Sequence, residues 1–338
     1  MRLDVEPFAL RLREPLRAAW GVLAERELLR VRLVADDGLE GFGEAAPLEP
    51  YDGVALAAVQ AALDAYGALA GECAEDELLE ACAAERDLPQ ALAAVDLALW
   101  DLAGKRSGRS VAQLISVEAA RSIPVNAAIG AEDRAGAAAA AAAAAQAEFD
   151  TIKVKVGVGD DAGRLAAVRA AVGPRVAIRV DANGAWDVDE AVASLRALAP
   201  AGIELAEEPV HGVEALRAVR AEVDVPLAMD ETAAQEGAAG SGATDAVCLK
   251  IARCGGITGV LRDAAAARIA GSAVYLASTY DGPLGIAAAV HAAAGLTAGG
   301  PLPAHGLATL AAFAEPGERL HAVRGAIRVP REPGLGVA

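Results

Sequence analysis

Aromatic side chains are scarce: three Trp, four Tyr and four Phe make up 3% of 338 residues. The interior must therefore be filled by smaller groups. Hydrophobic residues still reach 54%, with alanine supplying much of the excess, so closely approaching helices are expected. Cysteine is sparse too. Cys73, Cys82, Cys248 and Cys254 form no C-x-x-C pair, and none has a histidine at zinc-ligand spacing. Buried free thiols in a reducing cytosol are the expectation. Positive charge is in deficit, with 30 Lys and Arg against 47 Asp and Glu and a net charge of −17. A field of that sign excludes nucleic acid as a partner and favours solubility. Long apolar runs are lacking. The longest, residues 135–145, contains Gly136 and ends at Gln146; it is too short and too alanine-rich to cross a bilayer and reads as a helix. No signal-peptide pattern opens the chain. The expectation is a cytoplasmic protein with no membrane partner, compatible with a homo-oligomer.

Residues 1–118 read as an α+β unit. Leu28–Val34 alternates as a strand, Asp36-Asp37-Gly38 is a turn signal, and Leu39–Glu44 returns as the second arm of a hairpin. Glu14–Gly21 lacks a period and Pro47–Gly53 is rich in turn formers, so both read as loops. Helical patterns follow over Val54–Leu69, Glu75–Ala84 and Leu88–Lys105, the last apolar around much of its circumference. From Ile123 the rhythm changes. Ile123–Ile129 reads as a short strand ahead of the alanine-rich helix. Apolar runs at 151–156, 176–181, 203–207, 226–230, 246–251 and 273–278 then alternate with helical stretches, at intervals of about 20 to 27 residues. Such units in series argue for a closed (β/α) barrel over 119–315 rather than an open doubly wound sheet. No G-x-G-x-x-G opens a helix after the first strand, which weakens a dinucleotide-binding reading further. A last helix is expected after Ala304, and strands at 320–323 and 326–329 are expected to carry the segment 316–338 back to the first unit.

The charged residues are organised around Thr151-Ile152-Lys153-Val154-Lys155-Val156. Alternation puts both lysines on one face of the strand. In isolation, a solvated edge strand explains such a pair better than a site does. The charges on the later strands shift that reading. Asp181, Glu207 and Asp230 end the next three strands, and Lys250 is on the one after. The C-terminal strand ends of a barrel converge on one face. Singly, each acid would read as a helix cap or turn former, as Asn183 and Glu231 do. Together they repel unless a cation joins them, and three oxygen ligands with room for water and substrate suit Mg²⁺. Lys155 and Lys250 flank that position from opposite sides. These parts fit removal of the proton α to a substrate carboxylate through an enediolate, with a lysine as the base.

Gly43-Glu44-Ala45, Ala98-Leu99-Trp100-Asp101-Leu102, Ile123-Pro124-Val125-Asn126, Lys153-x-Lys155, Asp181-x-Asn183, Glu207-Glu208-Pro209, Asp230-Glu231, Lys250 and Gly255-Gly256-Ile257 span nearly the whole chain. In this set the sequence resembles the enolase superfamily, and within it the muconate lactonizing enzyme subgroup. The lysine base and metal-stabilised intermediate are that superfamily's known chemistry. The resemblance implies an α/β fold: a (β/α)7β-type modified TIM barrel with an N-terminal α+β capping domain. It implies that Asp181, Glu207 and Asp230 bind Mg²⁺, that Lys155 and Lys250 are the acid/base pair, and that Lys153 assists electrostatically. Loops around Arg17–Trp20 and Pro47–Gly53 would close over a small-molecule carboxylate substrate, with Arg17, Trp20 and Tyr51 as binding residues. Interdomain packing is the equal alternative for Trp20 and Tyr51.

Leu276–Gly282 after the seventh strand is similar to the Ser-rich stretch of o-succinylbenzoate synthases, as are His305–Thr309 and Pro333–Val337 to other parts of that family. Ser278, Thr279 and Asp281 are its candidate substrate contacts. The reading drawn from this is an o-succinylbenzoate synthase, a lyase of menaquinone biosynthesis. Lys155 would remove the α-proton and help hydroxide leave, while Lys250 stabilises the enolate. Tyr280-Asp281-Gly282 departs from the usual pattern. Dipeptide epimerases carry an Asp-x-Asp pair near the eighth strand for the substrate ammonium; residues 298–310 contain no acid, although Asp281 would supply one carboxylate. Dipeptide epimerase, N-succinylamino-acid racemase and muconate cycloisomerase are the alternatives. A silent scaffold ranks last, because all the metal and lysine positions are filled. Among the isolated histidines, His291 reads as a core residue and His211 as part of a solvated loop.

Overall fold

The computed structural model describes residues 1–18, 21–130, 132–297, 303–315, 317 and 319–337. An antiparallel sheet opens the chain: β1 (Arg2–Ala18), β2 (Gly21–Val34) and β3 (Glu40–Ala45). β2 and β3 pair from Val34↔Glu40 to Leu29↔Ala45, the hairpin expected from the alternation and the Asp36–Gly38 turn. Glu14–Gly21 is not the expected loop. β1 runs on to Ala18 and pairs with β2 again after a register shift between Arg11 and Leu16. Pro15 falls in that shift; it has no N–H to give a ladder rung, and a bulge absorbs it. Within Pro47–Gly53 the chain also makes one helical turn, α1 (Glu49–Asp52), which Gly53 ends at φ 72°. The expected helices follow as α2 (Leu56–Ala70), α3 (Leu78–Glu85) and α4 (Pro89–Ser107), then a short α5 (Val111–Ile115).

α4 lies between two cores. Ala91, Val95 and Ala98 pack with Leu29, Val31, Leu33 and Leu63 of the first unit, whereas Leu97 belongs to the barrel core. The helix comes so close to β3 that only glycine fits beneath it: a Cβ on Gly43 would lie 1.9 Å from the Ala94 carbonyl oxygen.

After β4 (Ser122–Pro124) come β5 (Ala127–Ile129), α6 (Arg134–Gln146), β6 (Thr151–Lys155), α7 (Asp161–Val172), β7 (Ala177–Asp181), α8 (Val188–Leu198), β8 (Ile203–Glu207), α9 (Val213–Arg220) and β9 (Leu227–Met229). β10 (Ala246–Leu249), α10 (Ile251–Cys254), α11 (Ile257–Ile269), β11 (Ala273–Leu276) and α12 (Pro283–Gly295) complete the series. Ile123–Ile129 is thus two strands in two sheets. β5 to β11 form one parallel sheet in chain order. The segment at His305 brings its edges together, with His305 bridging Val125 and Gly306 bridging Ala277. Asn126 N–H donates to His305 O at 2.9 Å, and Gly306 N–H to Leu276 O at 2.8 Å. The fold is α/β, a modified (β/α)7β barrel with an N-terminal α+β unit. The helix expected after Ala304 is only a 3-10 turn, Ala308–Ala312. β12 (Ala322–Val323) and β13 (Ala326–Arg328) extend β4 rather than the first sheet. Gly334 and Leu335 do reach the first 118 residues, where Val111 N–H donates to Gly334 O at 3.0 Å and Leu335 N–H to Asp101 Oδ1 at 2.8 Å. Among the described residues, no helix is long and apolar enough to cross a membrane.

α12 is buried from Leu284 to Gly295, which its alanines permit by letting neighbouring elements close in on every side. His291 lies within it. Its Nδ1 accepts from Ala112 N–H at 3.2 Å and its Nε2 donates to Leu335 O at 3.1 Å, so the neutral ring ties α12 to α5 and to the tail. Burial pushes the pKa of His291 down to about 4 and that of His305 to about 3. Unfolded imidazoles gain protons below about pH 6.5 and the folded ones do not, so their contribution to stability is full above that value and falls as pH drops. Burial raises the Glu44, Asp96 and Glu207 carboxyls, whose slope is opposite, so the histidine contribution is read by difference. The urea midpoint of the wild type is expected to fall between about pH 6.5 and 5 relative to that of His291→Gln, and an unaltered difference across that range would contradict the assignment.

Candidate active site

Strand alternation decides which side chains enter the barrel. Ile152 and Val154, Ile178 and Val180, Leu227 and Met229, and Val247 and Leu249 join the core under the helices. Their neighbours Lys153, Lys155, Asp181, Glu207, Asp230 and Lys250 therefore turn inward. Because the strands are parallel and in chain order, these groups gather at one end of the ring.

Asp181, Glu207 and Asp230 are 6%, 1% and 2% exposed. Three cationic side chains compensate them. Lys153 Nζ lies 2.8 Å from Asp181 Oδ2 and 2.7 Å from Glu207 Oε1. Lys250 and Arg253 both pair with the Asp230 carboxylate, and Arg253 also donates to Asp230 O at 3.0 Å. Burial alone would lower the Lys153 pKa, but Asp181, Glu207 and Asp230 outweigh it and raise that pKa well above the usual range. Burial lifts Glu207 to about 7 against the pull of Lys153. For Asp230, burial is overcome by Lys250 and Arg253, which hold its carboxyl below the usual range. Among the described residues Lys155 has no ion-pair partner, and it pairs in register with Asp181.

The turns after these strands are strained in a way that serves the site. Asn183 and Glu208 adopt positive φ, 45° and 39°, immediately beyond β7 and β8. Asn183 N–H donates to Asp181 Oδ1 at 2.9 Å, and its amide to Glu231 Oε1 at 2.8 Å. Glu208, fully buried, accepts from Asp230 N–H at 2.7 Å and Thr232 N–H at 3.0 Å, and so anchors the loop that carries Asp230. Beyond β11, Tyr280 also has positive φ, 61°.

The donor set suits a hard divalent cation: buried carboxylates on three adjacent strand ends, with cationic side chains standing where charge must be balanced. Carboxylate oxygens of Glu207 and Asp230 lie within 4.8 Å of each other and of the Cys248 thiol, while Asp181 joins through Lys153. A family profile described as "Mandelate racemase / muconate lactonizing enzyme, N-terminal domain" matches residues 3–116, and "Enolase C-terminal domain-like" matches 136–338. The chain belongs to the enolase superfamily, in its mandelate racemase/muconate lactonizing enzyme branch.

It is an enzyme of that superfamily, whose members among its relatives include both lyases and isomerases. The chain is 31% identical over 297 residues to a hydrophobic dipeptide epimerase of Roseobacter litoralis, covering 85% of this chain and 86% of the relative. An o-succinylbenzoate synthase of Thermobifida fusca is 40% identical over 156 residues, 45% of this chain and 47% of that one. A dipeptide epimerase from Enterococcus faecalis, complexed with Mg and the dipeptide L-Leu-L-Tyr, superimposes with a TM-score of 0.91 at 26% identity, covering 100% of this chain and 99% of that chain.

Of the substrate contacts that the superfamily resemblance suggests, Tyr51 reaches the ring. Its hydroxyl lies 2.9 Å from Lys250 Nζ and 3.1 Å from Asp230 Oδ2. Ser278 Oγ lies 2.8 Å from Thr309 Oγ1. Thr279 donates through its hydroxyl to Asp281 Oδ1 at 3.1 Å, and Asp281 is 2% exposed. Trp20 and the side chain of Arg17 lie outside the described residues. His211 sits in a half-exposed loop, 3.0 Å from Glu208 Oε1. Arg253 is a site residue that the strand-end pattern does not single out, although it stands three residues after Lys250 on the single turn of α10, the spacing that returns a side chain to the same face.

Proposed function

We propose that the protein is a Mg²⁺-dependent racemase or epimerase acting at the carbon between a carboxylate and an acylated nitrogen. One observation carries this reading. Lys155 and Lys250 come from the second and sixth of eight positions around the ring, with the carboxylates of the third, fourth and fifth between them. Inversion at carbon needs one group to remove a proton from one face and another to deliver a proton to the opposite face. Lysines on facing walls meet that need.

Asp181, Glu207 and Asp230 would hold the metal. When bound, Mg²⁺ would fix the substrate carboxylate and offset the charge that builds on it as the proton leaves. Lys155 moves the proton on one face and Lys250 on the other. Lys153, kept charged by Asp181 and Glu207, adds positive potential beside the same carboxylate. Tyr51 carries the N-terminal unit onto Lys250, which orients that ammonium and helps exclude water.

Similarity over most of the chain to a hydrophobic dipeptide epimerase supports the reaction type. Residues 298–310 carry no carboxylate to receive a free substrate ammonium, which favours N-acylated amino acids such as the N-succinyl class over free dipeptides. A second reading, the o-succinylbenzoate synthase lyase, draws on the 40% identity over 156 residues. In that reaction Lys155 removes the α-proton and Lys250 serves only as a cation. Incubation with Mg²⁺ and enantiopure N-acylamino acids, dipeptides, or the hydroxycyclohexadiene carboxylate precursor separates the two. Loss of optical rotation in the amino-acid set is expected. Aromatic absorbance from the precursor, with rotation constant in all others, would overturn the reading.

A further inference from the structure

β11 adds no charge to the ring, yet it sends a side chain beneath it. The interior patch of the barrel comprises Leu205, Ala228, Ala246, Cys248, Tyr275 and Ala277, in which Tyr275 is the large ring among small neighbours. Tyr275 is 3% exposed. Its hydroxyl donates to Glu207 Oε2 at 2.8 Å, while the other oxygen of that carboxylate, Oε1, lies 2.7 Å from Lys153 Nζ. The ring is itself braced. The Arg179 guanidinium stands 5.2 Å from its centroid and is fixed by Ala304 O at 2.7 Å and Glu204 Oε2 at 2.8 Å.

A glutamate at a strand end has a nearly free terminal torsion, so either oxygen could face the ring. A rigid O–H donor removes that freedom. We propose that Tyr275 is a positioning residue for the divalent cation: it engages Glu207 Oε2 and so fixes the orientation in which that carboxylate would meet the metal. The inference rests on the reading of Glu207 as a metal ligand. Arg179 acts at one remove, because it holds the phenol in place across the barrel. Partners that orient a metal ligand in this way commonly change metal affinity by about 10- to 100-fold when removed.

Tyr275→Phe deletes the hydroxyl and keeps the ring with its Arg179 contact. The test is Mn²⁺ binding to the full chain, read as free Mn²⁺ by electron paramagnetic resonance, for wild type, Tyr275→Phe, Glu207→Gln and the double variant. Melting of each metal-free protein is followed in parallel. The dissociation constant is expected to rise about 10-fold or more in Tyr275→Phe. The double variant should bind no more weakly than Glu207→Gln alone, since the tyrosine acts through that carboxylate. An unchanged constant in Tyr275→Phe, or a full additional loss in the double variant, would overturn the proposal. A tyrosine that only supports the fold would lower the melting midpoint and leave the constant alone, which also overturns it. Equal Mn²⁺ binding by wild type and Glu207→Gln is a different result: it removes Glu207 as a ligand, and the proposal goes with it.

Discussion

Lys155→Ala is expected to lower turnover by about 10³-fold, within the range that a positioned acid or base contributes, and to leave the fold intact. The two halves of that expectation have separate causes. Lys155 points into the ring from β6, opposite Lys250, so its loss removes proton transfer on one face. It has no ion-pair partner among the described residues, so truncation strands no buried charge. Stability should change by no more than about 0.5 kcal/mol, as for other substitutions that break no buried contact. Lys250 would remain and should still exchange the α-proton of one enantiomer of substrate. Full racemisation by Lys155→Ala would remove Lys155 from the reaction. Collapse of the fold would show that its ammonium is a structural element.

The second large effect is on stability. Asp230→Ala removes the one carboxylate that pairs with both Lys250, 4% exposed, and Arg253. Two buried cations would be left facing each other beside Tyr51. Breaking a buried pair by removing one partner typically costs about 3–5 kcal/mol. The metal-free variant should therefore unfold at a distinctly lower urea concentration, and its divalent-cation affinity should fall as well. Asp230→Asn, which retains a carbonyl acceptor for Arg253, should lose less stability while still binding metal poorly. An unfolding midpoint equal to that of the wild type in Asp230→Ala would mean that Lys250 and Arg253 find other partners and that the pairing around Asp230 is incidental.

The parts of the site that could be read from the chain are those that a period of two places. Asp181, Glu207, Asp230 and Lys250 each end a short apolar run, and inward-facing residues of a barrel strand follow from counting alternate positions. The same reasoning places Lys153 and Lys155. What escaped lies in contacts between distant segments. Tyr51 meets Asp230 across 179 residues, and no local pattern ties a turn of the first unit to the fifth strand of the ring. Tyr275 occupies an inward position on β11, but its role depends on the small side chains that leave room for it. The eighth ring position follows only from the family resemblance, which places it within 298–310, and not from the pattern of the chain. His305 and Gly306 make single bridges to either side instead of a run of paired residues, so no apolar alternation marks them. Glu14–Gly21 lacks a period for a related reason: the register shift between Arg11 and Leu16 breaks the alternation of β1, so the strand beyond it does not show in the pattern. The tail strands are legible in the chain but their partner is not: the pairing of β13 with β4 joins segments about 200 residues apart, and no local pattern specifies it.

The same geometry bears on how the two lysines differ. Lys250 is buried and contacts Asp230 and Tyr51, whereas Lys155 stands more open on the other wall. One lysine is thus held by the N-terminal unit through Tyr51, and the other is partly exposed.

The most direct test of the central claim is to incubate an N-acylamino acid of one configuration with the Mg²⁺-loaded wild-type protein in deuterated water, then separate the enantiomers and measure the mass of each. If two lysines serve opposite faces of one carbon, the inverted enantiomer should carry a single deuterium at the α-position from the earliest times. Inverted product without deuterium, or no exchange in any N-acylamino acid while the cyclohexadiene precursor is aromatised, would contradict it.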